Sequence, residues 1–280
     1  RVSVLHFVPS MLNVFLEYLD GRPEKVSGSL SSLRRVFASG EALSPAHVRK
    51  FNAVIGAATG CRLTNLYGPT EATVDVTYFD CPAEGELDCV PIGRPIQNMR
   101  AYVMREENLM PVGETGELCL AGVGLARGYL NNPELTAGRF VESPAVPGER
   151  IYRAGDLARW LPAGNLEYLG REDHQVKIRG LRIELGEIEN TIRGFPAVAD
   201  CVVVTKAYAE SIVVIVAYLV GREKIDPAAL KQHLQRLLPE YMVPGQLVEI
   251  AALPLTATGK VDRKALPEPV PKSKAAPTHG

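Results

Sequence analysis

The chain has 280 residues, of which 46% are apolar and 22% charged, so it can bury a sizeable core as one large domain or two smaller ones. Its 31 basic and 32 acidic residues give a formal net charge of -1, which offers no electrostatic reason to expect a nucleic-acid or anionic-membrane partner. The five cysteines form no C-x-x-C pair, which argues against a zinc site or a disulfide framework and favours a reducing cytoplasm.

The sequence shows no targeting signal or membrane segment. It opens at Arg1 without a Met, a basic n-region or an apolar h-region, so we expect no secretory signal and a piece of a longer polypeptide. The longest apolar run, residues 212–220, is well short of the roughly 20 residues that cross a bilayer. Its β-branched residues predict a buried strand, and we expect a cytoplasmic protein.

The first 60 residues predict two strand–helix units. A β-type run over residues 2–8 precedes Pro9 and Ser10, which are typical of a turn and a helix start, and an apolar helix then runs to Tyr18. The second unit has a strand at residues 35–39 and a helix that begins at Pro45 and ends near Ala58. Repeated strand–helix units favour a mixed α/β sheet.

The character of the sequence changes twice further along. From about residue 62 to 168, frequent Gly and Pro with short alternating strands predict a small distorted β-barrel, which would complete a large N-terminal subdomain over residues 1–172. Beyond it, helices at 185–193 and 227–238 with strands at 175–178, 200–205, 212–220 and 247–250 predict a small α+β subdomain over residues 173–267. The Pro-, Ala- and Lys-rich residues 268–280 are typical of a linker.

The N-L-Y-G-P-T-E segment, residues 65–71, is the first loop with residue types suited to nucleotide chemistry. Its turn can aim an aromatic ring, a hydroxyl and a carboxylate at one point. The ring of Tyr67 suits purine stacking, Thr70 can bond a phosphate, and Glu71 can hold Mg²⁺ between phosphate oxygens. The alternative is a plain turn with a solvated Glu, because Gly-Pro turns are common.

Two further loops have suitable residues. Asp156 follows a Gly in a strand-like stretch, where a carboxylate can accept both hydroxyls of a ribose, although a simple turn Asp is the alternative. The polar residues 170–180, flanked by Gly, suit a hinge between two lobes. Lys177 within them is also explained by a solvated strand edge protected by charge.

A short basic loop, residues 256–264, lies near the end of the predicted folded part. It lacks the spacing of a phosphate-binding P-loop, because no Gly stands five residues before Gly259 and Val261 follows Lys260. Lys260 is either a solvated lysine or a cation that a closing lid delivers to developing negative charge.

Together and in this order, these loops resemble the adenylate-forming superfamily, in particular the amino-acid adenylation domains of nonribosomal peptide synthetases. The resemblance runs from about residue 4 to 266 and includes G-E-L-C-L-A-G-V-G-L-A-R-G-Y-L at 116–130 and V-K-I-R-G-L-R-I-E-L-G-E-I-E at 176–189. It implies a hinge at Asp173 and a small lid that rotates between two half-reactions. The first converts ATP and a carboxylate into an acyl-AMP and pyrophosphate. The second passes the acyl group to the 4'-phosphopantetheine thiol of a carrier protein.

The resemblance implies a role for each matched residue. Lys260 would be the lid lysine, Thr70 would contact phosphate, and Glu71 would bind Mg²⁺. Tyr67 would lie against adenine, Asp156 would hold the ribose, and the other nucleotide-binding residues would be Gly68, Tyr168 and Arg171. Ala154 and Thr258 stand where the family usually has Thr and Asn, and they flank functional residues without replacing them. The family's phosphate loop and the Asp that anchors the substrate amine are expected upstream of Arg1, so this piece alone should be catalytically incomplete.

The same alignment implies a substrate pocket formed by His6, Phe37, Ser39, Leu66, Val74 and Asp75. This set resembles the code of serine-activating domains, with threonine or another small polar amino acid as the next choice. His6, Ser39 and Asp75 could bond a small hydroxyl, while the other three shrink the cavity. The alternative for His6 and Phe37 is a place in the core at a strand end.

The implied partners are an amino acid, a peptidyl carrier protein, a condensation domain of the same synthetase and an MbtH-like protein, with no nucleic acid and no membrane. No carrier motif of the L-G-G-[HD]-S type follows Leu266, so the carrier is expected after the linker or on another chain. Two alternatives stay open: an acyl- or aryl-CoA ligase of the same superfamily, and a truncated, non-catalytic docking domain. Intact Glu71, Asp156 and Lys260 argue against the latter.

Overall fold

The computed structural model describes residues 2–171, 175–178, 180–209, 212–256 and 261–269. The chain divides into two compact units, residues 1–173 with 177–181 and residues 174–176 with 182–280. The expected hinge Asp173, the expected lid lysine Lys260 and residues 270–280 of the expected linker lie outside the described residues. In the part of the chain that is described, no helix is long and apolar enough to cross a membrane.

A five-stranded sheet forms the first part of the first unit. The strands β1 (Val4–Phe7), β2 (Arg35–Ala38) and β3 (Arg62–Tyr67) run parallel, and β4 (Thr77–Asp80) and β5 (Arg94–Pro95) extend the sheet antiparallel. This is the mixed sheet that the repeated strand–helix units predict.

Helices cover one face of this sheet. They are α1 (Pro9–Leu19), α2 (Pro23–Ser29), α3 (Pro45–Phe51) and α4 (Ala57–Thr59), with a π-helical turn at Asn52–Gly56. The hydrophobic core on this side contains Leu12 and Leu16 of α1 with Val36 and Leu63 of the sheet. α3 begins where the sequence predicts, because the Ser44 side chain accepts a backbone hydrogen bond at its start and Pro occupies the first turn.

A second sheet of six strands completes the first unit. Its strands are β6 (Met99–Arg105), β7 (Asn108–Leu109), β8 (Gly116–Gly122), β9 (Phe140–Glu142), β10 (Arg150–Trp160) and β11 (Leu166–Arg171), and α5 (Pro133–Arg139) precedes β9. The order is β11-β10-β8-β6-β7, with β9 paired to β10. The expected barrel therefore needs correction, since the end strands β11 and β7 do not pair with each other among the described residues. Leu166 of β11 instead bonds through its backbone to Ile92 and Gly93, beside the first sheet.

The chain beyond Arg171 is α+β, as the sequence predicts. Strands β12 (Gln175–Ile178) and β13 (Leu181–Glu184) form a two-stranded sheet. The elements that follow are α6 (Leu185–Arg193), β14 (Val198–Ala209), β15 (Ile212–Gly221), α7 (Pro227–Leu237) and β16 (Gln246–Glu249). β14 pairs antiparallel with β15, and β16 pairs parallel with β15. α6 buries Leu185, Ile188 and Ile192, which is the periodicity expected of a helix with one apolar face.

Candidate functional site

The carboxyl ends of β1, β2 and β3 place three predicted pocket residues on one face of the first sheet. The register pairs His6 with Phe37, and Phe37 with Thr64, so these side chains share a face. Leu66 lies two residues beyond Thr64 and therefore projects from the same face, which brings the pocket residue of β3 beside those of β1 and β2. The alternate residues, such as Leu63, are buried against the helices. His6 is exposed, which does not fit the alternative that it belongs to the core.

His6, Ser39 and Asp75 form a polar group at this face. His6 Nε2 and Ser39 Oγ are 2.7 Å apart, and Ser39 also hydrogen-bonds Asp75. Burial raises the pKa of Asp75 above its ordinary value, although the charges of His6 and Lys177 and the Ser39 hydrogen bond oppose this rise. Asp75 Oδ1 is buried and has no hydrogen-bond partner within the described residues. One acceptor therefore remains for a donor from outside.

The turn that leads to Asp75 has an unusual backbone. Thr73 and Val74 have φ angles of 62° and 73°, a left-handed conformation that β-branched residues rarely adopt. Val74 is 60% exposed. A Cβ on Gly68 would lie 2.3 Å from the Val74 carbonyl oxygen, so only glycine fits there. Close packing of this turn is thus a structural reason for Gly68, and its predicted contact with the nucleotide stays a prediction.

Tyr67, Asp156 and Arg171 form a buried network between the two sheets. The Tyr67 hydroxyl donates to Asp156 Oδ2, and Arg171 Nη1 donates to Asp156 Oδ1 over 2.7 Å. Asp156 is 3% exposed. Burial raises the pKa of Tyr67 well above its ordinary value, and the charge of Asp156 raises it further. The Tyr168 ring lies beside that of Tyr67, with centroids 6.2 Å apart.

This network brings four predicted nucleotide-binding residues close together, but it also occupies both carboxylate oxygens of Asp156. Each oxygen keeps a second lone pair. Ribose binding by Asp156 therefore stays a prediction that requires Tyr67 or Arg171 to share the carboxylate.

A β-bulge, which sequence reasoning did not identify, positions Asp156. The β8–β10 register pairs Arg153 with Cys119 but Leu157 with Glu117, so extra residues of β10 project at this point. Glu117 holds the bulge: Oε2 accepts from Arg153 Nε (2.8 Å) and Nη2 (2.6 Å), and Oε1 accepts the Gly155 N–H at 3.0 Å. Glu117 is 8% exposed. The only sequence signal was its position in the 116–130 stretch that carries the family resemblance.

Glu71 lies in a short 3-10 turn, Thr70–Ala72, and is 7% exposed. Its Oε1 accepts a hydrogen bond of 2.7 Å from the Tyr129 hydroxyl. Burial in this polar setting contradicts the alternative of a solvated Glu, whereas Thr70 is exposed.

The metal-binding side chains near Glu71 show whether this site could hold the expected Mg²⁺. Among the described residues, no group of three or more His, Cys, Asp or Glu side chains gathers to hold a metal ion. Mg²⁺ bound with nucleotide phosphates commonly uses only one or two protein carboxylates, because phosphates and waters complete its octahedron. A single buried carboxylate such as Glu71 fits that mode of binding.

Two more residues that sequence reasoning did not assign lie near Tyr67. Asn65 is 3% exposed, its Nδ2 donates to the Pro91 carbonyl, and its Oδ1 has no partner in the described part of the chain. Lys177 Nζ lies 5.5 Å from the centroid of the Tyr67 ring, a cation–π geometry that does not fit a solvated strand edge. Both lie within stretches that carry the family resemblance, Asn65 in residues 65–71 and Lys177 in residues 176–189.

Comparison with known families gives two matches. Residues 1–130 match the family described as AMP-binding enzyme, and residues 187–260 match the AMP-binding enzyme C-terminal domain. Among curated proteins, the chain is 52% identical over 269 residues to one of the subunits of mycosubtilin synthase from Bacillus subtilis. That alignment covers 96% of this chain and 10% of the mycosubtilin synthase polypeptide.

Solved structures show the same fold. Holo-PA1221, a nonribosomal peptide synthetase protein with adenylation and carrier-protein domains bound to a vinylsulfonamide inhibitor, is 32% identical with a TM-score of 0.78, and the match covers 94% of this chain and 44% of that one. The Vibrio cholerae adenylation domain AlmE, in complex with glycyl-adenosine-5'-phosphate, is also 32% identical with a TM-score of 0.78, over 93% of this chain and 48% of that one. The chain thus spans about half the length of these solved relatives.

The fold, the two family matches and the relatives agree with the loops from which the resemblance was drawn. The chain therefore belongs to the AMP-binding enzyme family, and it is similar in sequence and fold to the adenylation domains of nonribosomal peptide synthetases.

Proposed function

We propose that the natural polypeptide carrying this sequence activates an amino acid with ATP as an aminoacyl-AMP and then transfers it to a carrier-protein phosphopantetheine thiol. The course of β3 and the turn after it carries this proposal. Leu66 lies on the face with the polar group, Tyr67 belongs to the buried Asp156 network, and Glu71 follows in the next turn. One short segment thus joins a substrate pocket to nucleotide-binding chemistry.

In the first half-reaction, a substrate carboxylate oxygen attacks the α-phosphorus of ATP and pyrophosphate leaves. The work of such a site is mainly positioning and the offsetting of charge. Glu71 would hold Mg²⁺, which when bound neutralises charge on the phosphate oxygens. Thr70 would contact phosphate. Lys260 would bring a cation to the reacting oxygens and leave before the second half-reaction.

The remaining nucleotide contacts follow from the buried network. Tyr67 would lie against adenine, Asp156 would hold the ribose, and Tyr168 and Arg171 would flank the nucleotide. The Oδ1 of Asn65, two residues before Tyr67, has no hydrogen-bond partner among the described residues and adds an acceptor suited to the exocyclic amine of adenine.

We propose L-serine as the substrate, with threonine or another small polar amino acid next. Asp75 Oδ1 lacks a partner within the described residues, and His6 and Ser39 lie in the same polar group. A small hydroxyl can satisfy that acceptor, whereas a large apolar side chain would leave a buried carboxylate oxygen unpaired.

Amino-acid-dependent pyrophosphate exchange, measured on the full natural polypeptide against a panel of amino acids, tests both statements. We expect serine to give the strongest exchange. Strong preference for a bulky apolar amino acid would overturn the serine assignment. Thioester formation on free CoA without amino-acid-dependent exchange would favour the acyl-CoA ligase alternative.

The partners and the lid are proposals of the same kind. Holo-PA1221 contains a carrier-protein domain beside its adenylation domain, which supports a peptidyl carrier protein as the acceptor. A condensation domain of the same synthetase and an MbtH-like protein would be further partners. Rotation of residues 173–267 about Asp173 would separate the two half-reactions.

A further inference from the structure

The loop between β8 and α5 contacts Glu71 through both its backbone and a side chain. The Ala126 N–H donates to the Glu71 carbonyl oxygen at 2.8 Å, and the Tyr129 hydroxyl donates to Glu71 Oε1 at 2.7 Å. These contacts join residues more than 50 positions apart. The 116–130 stretch therefore bears directly on the predicted metal-binding carboxylate.

Arg150 fixes the backbone of this loop. Its Nη1 donates to the Ala126 carbonyl and its Nη2 to the Arg127 carbonyl, each at 2.8 Å. Its guanidinium also lies 4.5 Å from the centroid of the Phe140 ring. A planar fork with two bonds and a stacked face holds its partners more rigidly than a single contact.

The backbone of Tyr129 is held from the other side. Its N–H donates to Thr136 Oγ1 at 2.9 Å, and the Thr136 hydroxyl donates to the Asn132 carbonyl. Gly128 has a φ of 150°, and a Cβ there would lie 2.4 Å from Thr136 Cγ2, so both the backbone and the packing favour glycine. The Tyr129 ring packs edge-on against Phe140, with centroids 5.8 Å apart.

These bonds hold the loop without help from the Tyr129 hydroxyl, and the ring is packed by Phe140. The shape of the loop is thus set by other groups, while the hydroxyl is directed at Glu71. A hydrogen-bond donor that restrains a metal-binding carboxylate typically affects metal affinity about 10- to 100-fold.

We propose that Tyr129 is a positioning residue for Glu71, and that its hydroxyl fixes the carboxylate in the orientation that holds a divalent cation against nucleotide phosphates. This rests on the proposed function, which assigns the cation to Glu71.

The test is a titration of Mn²⁺ by electron paramagnetic resonance, on the full natural polypeptide saturated with α,β-methylene-ATP. We expect Tyr129→Phe to raise the Mn²⁺ Kd about tenfold, and Glu71→Gln to raise it by about 100-fold. Tyr102→Phe is the matched control, because the Tyr102 hydroxyl on β6 donates to a different glutamate, Glu149 Oε2, at 2.9 Å. Its Mn²⁺ Kd should equal that of the parent protein.

Binding of the same nucleotide analogue in EDTA separates metal positioning from general damage. We expect Tyr129→Phe to bind the metal-free analogue as the parent does, because the ring and loop are retained. Equal weakening with and without Mn²⁺ would overturn the proposal. The proposal would also be overturned if Tyr129→Phe had the Mn²⁺ Kd of the parent protein while Glu71→Gln had a raised one. If Glu71→Gln itself leaves Mn²⁺ binding unchanged, the metal assignment in the proposed function fails instead.

Discussion

Three carboxylates of the candidate site differ in what their oxygens contact. Asp75 has a buried oxygen without a partner in the described part of the chain, Asp156 has both oxygens bonded to protein donors, and Glu71 has one oxygen bonded to Tyr129. The cost of adding a ligand differs accordingly. A substrate donor at Asp75 binds an oxygen that no described residue contacts, whereas a ribose at Asp156 must share oxygens that already accept hydrogen bonds.

Replacing Asp75 by Asn should stabilise the unliganded protein at neutral pH. The pKa of Asp75 is raised in the folded state, so the ionised carboxylate disfavours folding. At low pH Asp75 is protonated in both the folded and the unfolded protein, so it does not affect the free energy of unfolding. The destabilisation appears as pH rises from about 4 through the folded-state pKa. Thermal unfolding from pH 3 to 8 measures this. We expect the melting temperatures of the two proteins to converge in acid and that of Asp75→Asn to be higher at pH 7.

The same variant should lose serine activation, because the charged acceptor is removed. A hydrogen bond to a charged group contributes about 1.5–3 kcal/mol, which corresponds to a loss of roughly 10- to 100-fold in serine-dependent pyrophosphate exchange. A variant less stable than the parent at pH 7 would show that Asp75 supports the fold rather than the pocket.

At the scale of elements, the bulge in β10 positions the Asp156 side chain differently from regular pairing with β8. Arg153 and Leu157 pair normally with β8, and the residues between them are extra. A carboxylate from the neighbouring strand accepts from the Gly155 backbone amide, which lies within this irregularity, and also from the Arg153 guanidinium. Asp156 is positioned by this arrangement.

Glu117→Ala should loosen the bulge. It removes the carboxylate that accepts from the Gly155 N–H and the Arg153 guanidinium, so we expect a loss of about 1–3 kcal/mol in the free energy of unfolding. Because Asp156 depends on the bulge, the KM for ATP should rise as well. Urea unfolding and exchange kinetics on the full natural polypeptide measure the two effects.

Glu167→Ala is the control for that experiment. Glu167, on β11, accepts through Oε2 from Arg159 Nε of β10 at 2.6 Å, and Arg159 lies outside the β8–β10 bulge between Arg153 and Leu157. It should lower stability without changing the KM for ATP. An equal rise in KM for both variants would mean that general loosening of the sheet, not the bulge, affects the nucleotide.

Sequence patterns predicted elements whose apolar period is clear. The helix at residues 185–193 and the strands β2 and β15 lie where they were expected. α2 and α5 were missed, since each has seven residues, too few to show a helical period. The open second sheet was also missed, because strand patterns report alternation and not which strands close on one another.

The candidate site was predictable to a similar extent. Motif order identified the residues that carry charge or rings, such as Tyr67 and Asp156. It did not identify Glu117 or Tyr129, because their bonds join residues 36 and 58 positions apart and no local spacing reports such contacts.

At the scale of the whole molecule, the proposed site residues of the first unit come from segments between His6 and Arg171. None of these segments is a site by itself. β1 to β3 supply the pocket face, the turn after β3 supplies Glu71, and the bulge of β10 supplies Asp156. Such a site forms only when both sheets are folded. A single motif read from the sequence could therefore also be interpreted as a plain turn.

Lys260 is the predicted cation from the second unit, and its replacement by Ala should separate the two half-reactions. Adenylation develops negative charge at phosphate and carboxylate oxygens, and loss of one stabilising donor typically costs about 10²- to 10³-fold in rate. Thioester formation from a preformed aminoacyl-AMP needs no such cation if the lid has moved away.

We therefore expect Lys260→Ala to reduce pyrophosphate exchange by about 100-fold or more, while transfer from supplied seryl-AMP to a carrier protein changes by less than about threefold. Lys264→Ala is the matched control, because Lys264 is exposed, lies in the same basic segment and has the same charge. It should leave both rates unchanged. Equal loss of both half-reactions in Lys260→Ala would contradict a role confined to adenylation, since a lysine that only offsets charge at the α-phosphorus cannot slow a step in which that phosphorus is not attacked.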